Sequence, residues 1–381
     1  MATLTKSQQD VQVAAQRLAE ASLRPTAAET DRQRRYPAQG LEVLGAAGFM
    51  GLLVPAQYGG KGGSLTDLAL AASAFGWGCS STAMCFLMHS CGCAVIASKA
   101  SPEQGKRWLE PAASGAAVAT LAFSERGTGA HFYMPEIKAE QRAGAFHLNG
   151  RKSFVTNGGH AQLYPVLVNA SGGQGLDLLM VTPELSGVKF EGQWDGLGMS
   201  GNSSIAMQLS DVAVPAGNLL GKEGDGQEVV FNVVAPTFLI GLAAVNVGIG
   251  QAALDAAVEH AKTRKYPTGQ TLAQIQVIQS YIADMSIAVQ GARQLVLEAA
   301  RAADSADLMA MPLVMQAKVA ATEAARKVTD LAMQVGGGQA YSRSLPIERL
   351  WRDAHAGSVM APTNEVLKEW LGRIHTGQPL F

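Results

Sequence analysis

The chain has 381 residues, 48% of them hydrophobic, and a formal net charge of −1, so it can bury the cores of two or three domains and is too apolar to be disordered. With no basic excess and no Lys/Arg-rich tract, it has little to set against a phosphate backbone, which argues against nucleic acid and for a small-molecule partner. Lys6, Gln8, Gln9, Asp10 and Arg17 interrupt the N-terminal apolar residues, so no signal peptide is expected there and a cytoplasmic location is.

In the first part, apolar residues recur every three to four positions over residues 8–21, 37–47, 65–77, 82–98 and 102–112, the period of helices packed on one face. Cys79, Cys85, Cys91 and Cys93 all fall in this part. Their spacing does not match the paired pattern of a structural zinc site, so reduced core thiols and no metal are expected.

Near Val118 the helical period stops. Short runs at 119–124, 136–141, 145–156, 163–169, 178–182, 188–191 and 204–210 are separated by Gly, Asn and Pro, the pattern of strands. No helix of crossover length lies between them, which favours a small barrel or sandwich over a parallel sheet. Asn149-Gly150 has the composition of a two-residue hairpin turn. On the strand after it, Phe154 and Thr156 would share a side, a ring and a hydroxyl suited to a flat, polar-edged cofactor such as a flavin. In residues 122–129, two glycines follow a strand and a hydroxyl, either as a simple turn or as a loop offering N–H donors to a carbonyl edge or a phosphate.

After residues 221–226 the helical period returns in four long segments near 228–264, 272–303, 308–335 and 346–372, the count and length of a four-helix bundle. Residues 229–254 carry no charge and are long enough to cross a bilayer. Asn232, Pro236, Asn246, Gln251, several glycines and the lack of a basic flank favour a buried bundle helix instead, and no membrane span is expected. Residues 334–338 end a helix on three glycines, where another chain segment could come close. Arg349, Arg352 and Asp353 share one helical turn, for which surface pairing is sufficient explanation. The expected domains are helical (1–117), β (118–225) and a four-helix bundle (226–381), an α+β chain.

These pieces together resemble the acyl-CoA dehydrogenase family over essentially the whole chain. Residues 122–129 are similar to its Thr-Glu-Pro and Gly-x-Gly loop, with Ser124 in the Thr place and Glu125 retained. Residues 152–157 are similar to its Lys-x-Trp-Ile-Thr-Asn strand, with Phe154 in the place of the Trp that lies against the flavin. Residues 211–215 and 218–221 match the family's exit from the β-domain. Arg264, residues 274–278, Met285, residues 334–338 and residues 349–353 resemble its bundle signatures.

The resemblance implies an N-terminal all-α domain, a central small β-barrel or sandwich and a C-terminal four-helix bundle, with FAD bound between β-domain and bundle in a homotetramer or dimer of dimers. Phe123, Ser124, Phe154 and Thr156 would hold the flavin end, and Gly129 would lie near the pyrophosphate. Arg264, Gln334, Gly337 and Gly338 would reach a neighbouring subunit's FAD, and Thr363 and Glu365 match positions near the pyrophosphate and adenosine. The substrate implied is an acyl thioester of CoA or a carrier protein, with an electron-transfer partner or oxygen as acceptor.

The departures concentrate on the chemistry. The family removes an α-proton with a glutamate, but the matching position is Ala361, followed by Pro362 instead of glycine. The alternative glutamate on the first bundle helix is also missing, where Phe238 and Leu239 stand. His89, on a position resembling the pocket wall, is the candidate substitute base, with an ordinary core or pocket histidine as the competing reading. Arg126 replaces the loop proline, Ala130 and His131 replace the usual Ser and Asp, and residues 266–268 depart from the usual Phe-Gly. Three functions remain open: an acyl-thioester dehydrogenase with an unidentified base; a flavoenzyme of the same fold doing reduced-flavin oxygenation or elimination; and a partly inactive subunit completing another chain's FAD site.

Overall fold

The computed structural model describes residues 4–307 and 310–380. Six helices open the chain: α1 (Lys6–Leu18), α2 (Ala27–Gln33), α3 (Ala38–Ala46), α4 (Leu65–Gly78), α5 (Ser80–Lys99) and α6 (Pro102–Ser114). Their starts are written locally. Thr5, Ser64 and Ser101 each cap a first turn and are answered three residues on by Gln8, Asp67 and Gln104, so two orphan donors are satisfied at each end. Helix α5 is small-residue and apolar on all sides because it is the central helix, and it buries all four free cysteines with their neighbours, Cys79 standing just before it.

The strands are β1 (Glu140–Arg142), β2 (Ala145–Val155), β3 (Tyr164–Asn169), β4 (Leu176–Val181), β5 (Val188–Glu191) and β6 (Ile205–Pro215). They form an antiparallel sheet in the order β1-β2-β6-β5 and a separate antiparallel pair β3-β4. Residues 119–124, expected as a strand, instead form single parallel bridges, Ala119 to Leu163 just before β3 and Ala122 to Val166 within it, and Glu125 beside them bridges antiparallel to Lys152 of β2.

The Asn149-Gly150 expectation is corrected. That pair lies within β2 at a register shift, Asn149 Oδ1 accepting from the Asp211 N–H at 2.7 Å. Gly150 has φ 147°, and a Cβ there would lie 2.5 Å from Ile137, so glycine serves a bulge and a close approach. The two-residue turn falls at Ala143-Gly144, with φ of 49° and 78°, where Arg142 pairs with Ala145. Local turn composition lost to cross-strand register.

The C-terminal part comprises α7 (Gly226–Val229), a π-type turn (Val230–Val234), α8 (Ala235–Thr263), α9 (Gln276–Asp304), α10 (Ala310–Tyr341), α11 (Ile347–Val359) and α12 (Asn364–His375). Leu308, within the expected third segment, lies outside the described residues. Helix α8 can be apolar all round because α4, α9, α10 and α11 pack against it and bury most of its residues. The expected fourth segment is two helices. Pro362 cannot donate to the helix ladder and pushes the residue before it out of helical geometry. Met360 is extended, and Thr363 restarts the chain by capping α12 through the Val366 N–H. Gly337, at φ 53° and ψ −139°, kinks α10 within the three-glycine run.

Candidate active site

A cleft of about 930 Å³ opens between the β-sheets, α5, the start of α8 and the end of α11. Its walls include Phe123, Ser124, Gly129, Phe154 and Thr156, five of the residues expected to hold a flavin. Backbone ties set this wall: Ser153 N–H donates to the Ser124 carbonyl at 2.8 Å, and Thr156 Oγ1 meets Ser204 Oγ at 2.9 Å. Simple strand alternation does not place Phe154 beside Thr156. A second register shift lies between Lys152 and Val155, Phe154 sits at φ 53°, and its ring is 70% exposed while Thr156 is buried. The bulge turns the ring onto the cleft, edge-on to Trp194 with centroids 6.4 Å apart.

Behind the wall, Lys152 is fully buried and donates to Glu125 Oε1 at 2.6 Å, the Phe123 carbonyl at 3.2 Å and the Leu167 carbonyl. Glu125 also accepts from the N–H groups of Glu136 at 2.7 Å and Ile137 at 3.2 Å. Burial pulls the Lys152 ammonium down to about 8, against the opposing pull of Glu125. This pair locks loop to strand and leaves Glu125 no freedom to act on a ligand.

The opposite wall is aliphatic and aromatic: Met84 and Met88 from α5, Val234 and Phe238 around the start of α8, then Val359, Met360 and Ala361. Lys318 of α10 holds the last of these from behind. Its buried ammonium donates to the carbonyls of Pro362 at 3.0 Å and Met360 at 3.4 Å and to Asn364 Oδ1 at 2.9 Å. Burial lowers it to about 8, with Glu365 opposing. The backbone on both sides of Ala361 is therefore fixed by one side chain, Lys318, that no motif or spacing singles out.

His89 is corrected. It is fully buried in α5, donates from Nε2 to the Met50 carbonyl at 2.8 Å and accepts at Nδ1 from the Ala119 N–H at 3.0 Å. Both nitrogens tie α5 to neighbouring backbone, and burial lowers its pKa to about 4. It does not line the cleft, because the period of a helix buried on all sides cannot say which face meets a ligand. Among the described residues, no histidine lines the cleft, and each carboxylate that does has a cationic partner: Glu125 with Lys152, Glu191 with Arg151 and Asp195 with Arg34.

Arg264, Gln334, Gly337 and Gly338 are exposed and away from this chain's own cleft. Thr363 caps α12, and exposed Glu365 follows in its first turn, neither lining the cleft. Arg352 and Asp353 do more than pair on a helix surface. Arg352 forks onto Asp31 of α2 at 2.6 and 2.9 Å, Ser200 Oγ donates to Asp31 at 2.8 Å, and Asp353 accepts from the Met199 N–H at 2.5 Å. All three parts of the chain meet at this clamp.

Profiles described as the N-terminal, middle and C-terminal domains of acyl-CoA dehydrogenase match residues 5–116, 120–212 and 239–375. The chain belongs to the acyl-CoA dehydrogenase family. Among relatives, it is 32% identical to "Probable acyl-CoA dehydrogenase YngJ" of Bacillus subtilis, covering 97% of this chain and 98% of that one. It is 31% identical to acryloyl-CoA reductase (NADH) of Anaerotignum propionicum, covering 97% and 95%. The solved butyryl-CoA dehydrogenase of Megasphaera elsdenii superposes with a TM-score of 0.93 at 29% identity, covering 99% of this chain and all of that one.

As an acyl-CoA dehydrogenase family member, the protein is an FAD-dependent oxidoreductase acting on acyl-CoA. The residues present fit FAD. Phe154 presents an apolar ring that needs a cover, and a Cβ on Gly129, at φ 53°, would meet nothing within 4 Å, so the cleft wall leaves room there for a ligand to approach the backbone. FAD supplies the acceptor for two electrons.

Proposed function

We propose that the protein oxidises the CH–CH group of an acyl thioester, carried by CoA or a carrier protein, at a site with no side-chain base in the family position. The single observation carrying this reading is the cleft itself, with the flavin-holding set on one wall and an aliphatic wall ending at Ala361 facing it. Phe123, Ser124, Phe154 and Thr156 hold the flavin end, and Met84, Met88 and Phe238 exclude water from the acyl chain. Ala361 takes no proton, so the α-proton leaves to an unidentified group. A missing general base costs about 10²- to 10⁴-fold in rate.

Anaerobic mixing of the FAD-loaded protein with thioesters of varied chain length, branching and aromaticity tests this. Slow flavin bleaching by some member supports it, and no bleaching by any member refutes it. A second reading, reduced-flavin oxygenation or elimination, is favoured by the absence of a free carboxylate or histidine from the cleft among the described residues. Oxygen consumption driven by an added flavin reductase would support it.

The same proposal includes a cytoplasmic homotetramer or dimer of dimers, in which exposed Arg264, Gln334, Gly337 and Gly338 complete a neighbour's cofactor site. Electrons then leave to a transfer protein or to oxygen. A partly inactive partner subunit is the competing arrangement, and equal co-purification of a second chain would reveal it.

A further inference from the structure

A second cavity, of about 540 Å³, lies between α1 with the turn after it, α4, α8 and α9, and no residue lines both it and the cleft. Its volume is in the range that holds small organic ligands. The floor is aliphatic, from buried Leu70, Ala244, Val247 and Val296. A polar chain runs along the lining. Trp77 Nε1 donates to Asp255 Oδ2 at 2.7 Å, Gln251 Nε2 donates to Asp255 Oδ1 at 2.8 Å, and Arg293 Nη2 donates to Gln251 Oε1 at 3.1 Å.

That chain is unbalanced. Each oxygen of Asp255 already accepts a hydrogen bond, whereas Arg293 spends a single donor on a neutral amide and has no carboxylate at ion-pair distance among the described residues. The half-buried guanidinium has lost water without gaining a counter-charge at contact, and burial pulls it below its ordinary range, with Asp255 opposing from farther off. Arg352 shows the balanced arrangement in this same chain, forking onto Asp31. A second guanidinium, that of Arg24, lies 4.3 Å from the centre of the Trp77 ring and also meets no carboxylate at ion-pair distance among the described residues. Two cations with unspent donors therefore line one cavity that has an aliphatic floor.

We propose that this cavity is a second ligand site that takes a small amphiphilic carboxylate, its charged end on Arg293 with Arg24 as the second cation and its apolar body on Leu70, Ala244, Val247 and Val296. A planar carboxylate matches a guanidinium fork with two parallel hydrogen bonds. Asp255 and Glu20, also on the lining, disfavour a ligand with a second negative charge, such as a phosphate monoester. The site stands independently of the acyl-thioester reading. It is coupled to the cleft through one element only in the linings, since α8 carries Phe238 to the cleft and Ala244, Val247 and Gln251 to this cavity.

The test is calorimetric titration of the FAD-loaded protein with octanoate, octanol and octyl phosphate, with the flavin spectrum recorded in parallel. Octanoate should bind saturably at a single site per chain, leave the flavin spectrum unchanged, and bind about tenfold or more tighter than the other two, the worth of a charge-assisted hydrogen bond. Arg293→Gln should weaken octanoate by about tenfold and leave octanol unchanged. Ser73→Leu, which fills the cavity from α4, should abolish binding of both. Should Arg293→Gln fail to fold, Ser73→Leu and the comparison with octanol decide the matter. No saturable octanoate binding overturns the proposal, as does binding that survives both substitutions. Equal affinity for octanol or octyl phosphate overturns the carboxylate assignment. Octanoate binding that shifts the flavin spectrum and is displaced by a thioester would place the acid in the cleft and also overturn it.

Discussion

On the acyl-thioester reading proposed above, replacing Ala361 with glutamate adds a carboxylate to a cleft whose described residues offer none free of a cationic partner. The segment is already held for it, since Lys318 Nζ fixes the carbonyls on either side at 3.4 and 3.0 Å. The nearby ammonium favours the ionised carboxylate, which keeps the new group a base at neutral pH. A well-placed base is worth about 10² to 10⁴ in rate, or roughly 3 to 5.5 kcal/mol of barrier. Misplacement by about 1 Å can cost about 10²-fold. Pro362 sets the backbone path, so a gain near the low end, about 10²-fold, is expected. The assay is the anaerobic rate at which oxidised-flavin absorbance is lost after mixing with the best-binding thioester. A variant that binds FAD and that thioester as tightly as the wild type but bleaches no faster refutes the reasoning.

Three further outcomes follow from the same geometry. Lys318→Met removes three hydrogen bonds from a buried ammonium and strands two carbonyls, which should cost about 3 kcal/mol in a denaturant titration and weaken thioester binding more than FAD binding. Phe154→Ala removes a ring that is 70% exposed, so fold stability should move by less than about 0.5 kcal/mol while FAD affinity, read by fluorescence titration, falls about tenfold. His89 is lowered from 6.5 to about 4 by burial, so between those values the unfolded chain binds the proton and the native chain does not. Stability should then be full above about pH 6.5 and fall by about 3 kcal/mol toward pH 4. In His89→Gln, which can keep both backbone hydrogen bonds, that acid loss measured by denaturant midpoints should shrink.

The helical parts were legible because capping pairs such as Ser101 and Gln104 and a regular apolar period survive any packing arrangement. That Phe123, Ser124, Gly129, Phe154 and Thr156 share one cleft was legible through motif resemblance, although the placement of Phe154 and Thr156 on it arises from a bulge. What failed was decided by distant partners. Asn149-Gly150 has turn composition, yet pairing with Asp211 makes it a bulge. His89 sits on a helix buried all round, where periodicity names no ligand face. Pro362 carried a readable warning that the last expected helix would break.

The clamp of Arg352, Asp31, Ser200 and Asp353 has a consequence for anyone recombining this scaffold. Its members come from the first forty residues, the middle of the chain and the last thirty, so exchanging the first or last third with a relative separates the guanidinium from its carboxylate, and exchanging the middle third takes Ser200 away from Asp31. Such a hybrid would keep an intact cleft lining on paper and still lose the registration of its walls, unless both halves of the clasp were transplanted together.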